Sequence, residues 1–578
     1  MRDGAEPHDQ GRHEMTHRLN RRAFLLRSGA AVVGGTLAGA AGGPTVLTAR
    51  RSAPSTTRGT LAFVPTLVQQ GRGPHLSELV YASDGNEDAF HSDIRVEKGR
   101  VVVTDAHGHR GGFGISVRWN VEGFGHLFLT ADNGGRLYEL PSSGQERTFS
   151  LNLELARSRA ARNARRLAEL SRGGWTPSRE TRAYLALSDE YLADASSAGD
   201  EARRGDLAQR SLRHALQAGE GLELERAAFD IAHAAARPDF LLGCDARAYF
   251  QMDADVFLER FVELFNFATV NHYLIGTHQD FEPSRGDKRF NLRDALIDDL
   301  RREGITVEGR PLVWFHHWVT PDWMRQKTYP ELLKYVEEHV RTVVGHYRDR
   351  VLVWEIANEM HDWANELRLT PDQLIEVTTL ACEVARDTNP NVVRLINNCC
   401  VFGEYVHQRK WTELDATYPQ RTPHQFMREL LEAGAPVDVV GVQMYFPTRD
   451  LADSIRLIDR FAALGRPVHV TEIGATSGPS PRSVKLDTVT IPTTPYAWHR
   501  HWDQERQAEW TEAMYTLAYS RPAVEAISWY DFVDTHAYIR NGGVLETPAG
   551  ERKPVFDRLK AMKARWQVRG PARDAVPR

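Results

Sequence analysis

Val351-Leu352-Val353-Trp354-Glu355-Ile356-Ala357-Asn358-Glu359 is a largely apolar run that ends on a carboxylate, and Pro467-Val468-His469-Val470-Thr471-Glu472-Ile473-Gly474 repeats the arrangement further along the chain. Each run is short and bounded by loop residues, which reads as a buried strand. Glu359 and Glu472 then stand at the carboxyl ends of two strands. In a barrel of parallel strands, that is the end where reacting groups collect.

The surrounding sequence supplies such a barrel. Over residues 237–568, candidate strands at 240–243, 268–271, 307–315, 351–357, 393–397, 437–443, 468–472 and 526–530 are separated by stretches that have room for helices. Eight strands fit a closed (β/α)8 TIM barrel. An open doubly wound sheet alternates in the same way, but no Gly-rich phosphate loop follows the first strand.

Two regions of different character precede the barrel. Residues 60–150 carry short alternating segments such as Ile115-Ser116-Val117-Arg118-Trp119-Asn120-Val121, with Asn133-Gly134-Gly135 as a tight turn, and predict a small antiparallel β domain, β-sandwich-like. It is either a carbohydrate-binding module or a packing domain. Residues 151–235 are rich in Ala, Leu, Arg and Glu with helical periodicity. There Gly173-Gly174 can stop one helix and Thr176-Pro177 can start the next, Thr176 serving as cap. This region reads as a helical linker domain.

The net charge of -5 is small for 578 residues, and the charges are interspersed, which does not suit a nucleic-acid partner. A neutral polymer or small ligand fits better. Cys244, Cys382, Cys399 and Cys400 have neither zinc spacing nor a disulfide framework, and read as buried thiols. At the start of the chain, Arg21-Arg22-Ala23-Phe24-Leu25 precedes a Gly/Ala-rich apolar run. The segment 1–50 resembles a twin-arginine export signal, which implies a secreted or cell-envelope protein. No run approaches the ~20 apolar residues of a membrane span, so no stable span is expected after signal removal.

Paired carboxylates across a cleft suit retaining glycoside hydrolysis, one as nucleophile and the other as acid and then base. The string Trp354-Glu355-Ile356-Ala357-Asn358-Glu359, with Thr471-Glu472, Gly309-Arg310-Pro311-Leu312-Val313-Trp314, Thr320-Pro321-Asp322-Trp323 and Trp529, resembles glycoside hydrolase family 10, best known for endo-β-1,4-xylanases. The resemblance implies a retaining hydrolase of β-1,4-linked polysaccharide, xylan by default, with no metal or organic cofactor. It makes Glu359 the acid/base and Glu472 the nucleophile. Asn358 is then a donor to the sugar 2-hydroxyl, and Trp529 the floor of the adjacent sugar subsite. Gln443 and Tyr445 follow strand six near the nucleophile, where Tyr445 can hold Glu472 by a hydrogen bond.

The chain also departs from the family pattern. After strand two it reads Asn271-His272-Tyr273-Leu274-Ile275-Gly276 where the xylanases have a Glu-Asn pair and a lysine that grip the sugar. Arg310 and Phe315 stand where histidines are expected, with His316 and His317 just beyond as substitute donors or core-satisfied residues rather than metal ligands. Asn271, His316 and His317 are therefore candidate substrate contacts in a rebuilt glycone pocket. Another β-glycan or glycoside, or a noncatalytic carbohydrate-binding protein, are the alternatives.

Overall fold

The computed structural model describes residues 59–66, 76, 80–277, 279–411, 414–445, 448–478, 484–486, 489–491 and 497–569. The segment 1–50, read as an export signal, lies outside them. Strands β1 (Thr60–Val64), β2 (Val80–Ser83), β3 (Ala89–Phe90), β4 (Ile94–Glu97), β5 (Arg100–Val103), β6 (Gly114–Val121), β7 (Gly125–Ala131) and β8 (Glu146–Ser150) form two four-stranded sheets, ordered β4-β5-β1-β8 and β3-β2-β6-β7. All pairings are antiparallel except β1 with β8, which is parallel.

Three helices follow: α1 (Leu151–Leu170), α2 (Arg179–Ser197) and α3 (Glu201–His233). Leu151, Leu155, Leu212 and Leu216 share one apolar cluster with Phe63, Val117, Trp119 and Leu129 of the sheets. Sheets and helices thus bury a common core. Gly174 closes the first helical segment in the left-handed region (φ +79°), as the glycine pair predicts. The next helix is capped by Ser178, whose side chain accepts from Thr181 N, and not by Thr176. The helix therefore starts at Arg179, two residues beyond the predicted start at Pro177. The buried positions of α2 are Thr181, Ser188 and Ala195, small residues that allow close approach of α3. A Cβ on Gly221 of α3 would lie 2.2 Å from Thr181 Oγ1.

The barrel is closed by β9 (Leu241–Asp245), β10 (Phe267–Asn271), β11 (Thr306–Arg310), β12 (Val353–Asn358), β13 (Val393–Asn398), β14 (Val439–Tyr445), β15 (Val468–Gly474) and β16 (Val524–Trp529), all parallel, with β16 pairing back to β9. Helices α4 (Ala254–Leu264), α5 (Asn291–Arg302), α6 (Tyr329–His346), α7 (Pro371–Thr388), α8 (Pro423–Glu432), α9 (Leu451–Ala462), α10 (Gln504–Tyr519) and α11 (Pro554–Arg565) alternate with the strands. Thr328, Thr370 and Thr422 each form a capping box with a Glu or Gln at the third helical position and a proline in the first turn. Such caps contribute about 1 kcal/mol each.

Two strand ends differ from the sequence expectation, and both matter at the site. β9 runs on to Asp245 instead of ending at 243. β11 stops at Arg310 instead of reaching 315, because Pro311 has no N–H for the ladder. Pairing with β12 resumes beyond it, where Leu312 N donates to Glu355 O (2.9 Å) and Val313 N to Ile356 O (3.0 Å).

The N-terminal region is tied to the barrel by polar contacts. Arg159 of α1 pairs with Asp450 and with Asp453 (2.8 Å), and Asp88 accepts from Thr422 Oγ1 (2.5 Å) and pairs with Arg460. No helix among the described residues is long and apolar enough to cross a membrane. All four thiols are free, three of them buried and Cys400 half-buried.

Candidate active site

Glu359 follows directly on β12 in a left-handed conformation (φ +54°), which costs a non-glycine residue about 1 kcal/mol. Its N–H is satisfied by Asn397 O of the neighbouring strand (2.9 Å). The register of β12 against β13 shifts between Glu355 and Ala357, a bulge of the kind that re-aims side chains beside functional sites. Behind this strand Trp354 fills the core completely. A Cβ on Gly309 would lie 2.3 Å from its ring, so only glycine fits before Arg310.

Glu472 comes from β15, and here too the register shifts, with Val442 opposite Val470 but Gln443 opposite Glu472. Strict alternation would send Thr471 and Glu472 to opposite faces. With the irregularity both reach Asn397: Thr471 Oγ1 donates to its Oδ1 (2.6 Å), and its Nδ2 donates to Glu472 Oε1 (3.1 Å).

The two carboxyls are both 6% exposed but have different surroundings. Glu359 accepts from two neutral donors, Gln443 Nε2 (3.0 Å) and Trp314 Nε1 (3.2 Å). Burial, reinforced by the negative charge of Glu472, pushes its carboxyl up to about 7, against the opposing hydrogen bonds from Gln443, Cys399 and Trp314. Glu472 receives the Arg310 guanidinium (Nη1 to Oε1, 2.8 Å), Asn397 and, on Oε2, the Tyr445 hydroxyl. A carboxyl that keeps its proton near neutrality beside one that a guanidinium pairs is a division suited to acid and nucleophile roles.

The structure brings together Glu359, Glu472, Asn358, Gln443, Tyr445 and Asn271. Gln443 also reaches Asn358 Oδ1 (3.3 Å), and Asn271 bridges Arg310 Nε (3.1 Å) and Asp245 Oδ2 (2.9 Å). Two other expectations are corrected. Trp529 is 0% exposed, donates to Gly542 O (2.8 Å) and packs in the barrel core, so it offers no face to a sugar as it stands. His316 is likewise 0% exposed, packed against the rings of Trp314 and Trp318 at 5.1 and 4.9 Å, so it supports Trp314 instead of touching substrate. His317 is half-buried and packs on His316 at 4.4 Å.

Sequence reasoning missed Asp245, Asn397 and the part played by Arg310. The available signal was a charged residue at the end of an apolar strand, as in Leu241-Leu242-Gly243-Cys244-Asp245. Three tyrosines close over the Glu472 side: Tyr445, Tyr530 and Tyr538 pack pairwise at 5.1–5.3 Å. Beside Asn271 a cavity of about 570 Å³ opens, lined by Arg247, Gln251, Tyr273, Gln279, Arg293 and His536.

Comparison with known proteins places the chain in a family. Endo-1,4-beta-xylanase B of Thermotoga neapolitana is 24% identical over 300 residues, which cover 50% of this chain and 75% of that protein. The beta-1,4-xylanase of Dictyoglomus thermophilum is 32% identical over 193 residues, 32% of this chain, and the chain spans only half of that relative's length. Among solved structures, native xylanase 10B of Thermotoga maritima is similar with a TM-score of 0.44 and 21% identity, covering 59% of this chain and 98% of that one. Residues 266–567, just over half of the sequence and all but the first strand-helix unit of the barrel, match the profile of glycosyl hydrolase family 10. The chain belongs to glycosyl hydrolase family 10 and is a glycoside hydrolase acting on O-glycosyl bonds.

Proposed function

We propose that this glycoside hydrolase cleaves β-1,4-linked polysaccharide, xylan in the first place, by double displacement, with Glu359 as acid then base and Glu472 as nucleophile. The observation that carries the reading is the contrast between the two carboxyls, one raised to about 7 among neutral donors and the other paired with a guanidinium. Below that value Glu359 holds the proton that the leaving oxygen needs. Attack by Glu472 consumes its negative charge, which removes one cause of the raised Glu359 value. Glu359 then gives up its proton readily and serves as base for water.

Asn358, with Oδ1 turned to Gln443, has its Nδ2 available for the sugar 2-hydroxyl. Tyr445 holds Oε2 of the nucleophile, and Asn271 lines the glycone side. The relatives named as xylanases support xylan. The altered residues after β10 favour a second reading, in which the same mechanism acts on another β-glycan.

The test is reducing-sugar release from xylan, mixed-linkage glucan, cellulose and mannan beside Glu472→Ala, with the product anomer followed by proton NMR. Release from xylan of a β-configured product, abolished in the variant, is the expected result. Glutamate-dependent release from a different glycan would keep the mechanism and replace the substrate. An α-configured first product would overturn double displacement, and the absence of release would favour a carbohydrate binder. We read the N-terminal sheets as a packing domain, supported by the polar ties to α8 and α9. Arg21-Arg22 and the apolar run after them support export of the folded protein.

A further inference from the structure

We propose that Arg310 is a positioning residue that makes Glu472 the ionised member of a group of glutamates inside the barrel. The inference rests on the reading of Glu472 as nucleophile. Glu308 of β11 and Glu355 of β12 are each 1% exposed and lie near Glu472 in the barrel interior. Burial pushes Glu308 up to about 8 and Glu355 well above the usual carboxylate range, and in both cases the charge of Glu472 adds to the shift while Arg310 opposes it. Like charges gathered in one buried site cannot all form.

Arg310 breaks the tie by geometry. Its guanidinium is held from behind, with Nη2 on Asp245 Oδ2 (2.6 Å) and Nε on Asn271 Oδ1 (3.1 Å), which leaves Nη1 aimed at Glu472 Oε1 (2.8 Å). Asp245 is itself fixed by Asn271 Nδ2 (2.9 Å) and by Arg247 N (2.9 Å), and Arg247 pairs with Asp531. Tyr530 lies under the fork, 5.3 Å from Cζ. Among the described residues, Glu472 also meets Asn397, Tyr445 and the charge of Glu359, and none of these is a cation. Asn397 Nδ2 also reaches Glu355 Oε2 (3.0 Å), so it serves two carboxyls and cannot choose between them. A rigid fork with three fixed partners can.

The test compares wild type, Arg310→Gln and Arg310→Lys on an activated aryl β-xylobioside across pH, with melting curves to confirm folding. In Arg310→Gln, kcat/KM is expected to fall roughly 100-fold, and the acid limb of its pH profile to move up by about one unit or more. Arg310→Lys, which returns a charge without the fork, is expected to recover part of the rate and to place the limb between those of Arg310→Gln and the wild type. A rate loss in Arg310→Gln with the acid limb unmoved and no recovery by lysine would overturn the proposal. If the glutamine variant fails to fold, the lysine variant decides: a limb above the wild-type position supports the role, and an unmoved limb with a lowered rate overturns it. Absence of Glu472-dependent turnover in the wild type would instead overturn the functional reading on which the proposal stands. The two failures are thus distinguishable.

Discussion

Gln443 brings its side-chain amide within 3.0 Å of Glu359 Oε1, and Gln443 itself lies opposite Glu472 in the register of β14 and β15. One neutral side chain therefore spans the ends of the strands that carry the two carboxyls.

If Glu359 is the acid, as proposed, its carboxyl at about 7 should set the alkaline side of the pH profile. A raised carboxyl is protonated below that value and loses its proton above it, so kcat/KM on xylan should fall tenfold per unit above pH of about 7. Glu359→Ala should lower xylan hydrolysis roughly 1,000-fold and have far less effect on the first step with an aryl glycoside whose leaving group needs no proton. Steady-state rates on both substrates across pH 5 to 9 check this.

Gln443→Leu removes a donor that favours the charged form of Glu359. The shift has a definite sign: Glu359 should then hold its proton to higher pH, and the alkaline limb should move up by about one unit. A downward movement, or none, would show that Gln443 does not act on Glu359.

Just past Glu359, Asp362 is wholly buried with a left-handed backbone, and its carboxylate is gripped by Arg421 through Nη2 (2.8 Å), Nε (2.9 Å) and the main-chain N–H (2.7 Å). Arg421→Met leaves that carboxylate without a counter-ion. Urea unfolding should show a loss of about 3 to 5 kcal/mol, partly restored by adding Asp362→Asn.

Glu282, in the loop after β10, accepts from Tyr335 OH (2.8 Å) and Gly286 N (2.8 Å) and pairs with Lys288 (2.9 Å). Although burial opposes ionisation, His339 first, and then Gly286 N and Lys288, bring its carboxyl down to about 2 from 4.5. A depressed carboxyl contributes stability that is complete above pH of about 4.5 and is lost as pH falls through about 2, here on the order of 3 kcal/mol. Denaturant midpoints from pH 6 to pH 3 should fall in the wild type, and the fall should be shallower in Glu282→Gln.

What the sequence by itself determined is what neighbouring residues settle among themselves. The apolar runs ending in Glu359 and Glu472 and the alternation that closes into eight strands are local patterns, because strand and helix periods depend on residues within a turn or two. They were enough to locate both carboxylates, Asn358, Gln443 and the Tyr445 contact to Glu472. Only the tertiary structure decided which side chains face the cleft. Trp529 and His316 look like sugar contacts in a string of letters, yet their burial is set by other strands and loops packed over them. The register shifts at Glu355 and Thr471 appear only when the strands pair, each leaving one extra residue on the strand that carries the carboxylate, and they change where side chains point. Asp245, Arg310 and Glu472 meet across gaps of 65 and 162 residues, so their network exists only once the barrel closes. A carboxylate inside an apolar strand has no interpretation until its partner is in place, and for Glu472 that partner is a guanidinium 2.8 Å away, supplied by a strand 162 residues earlier.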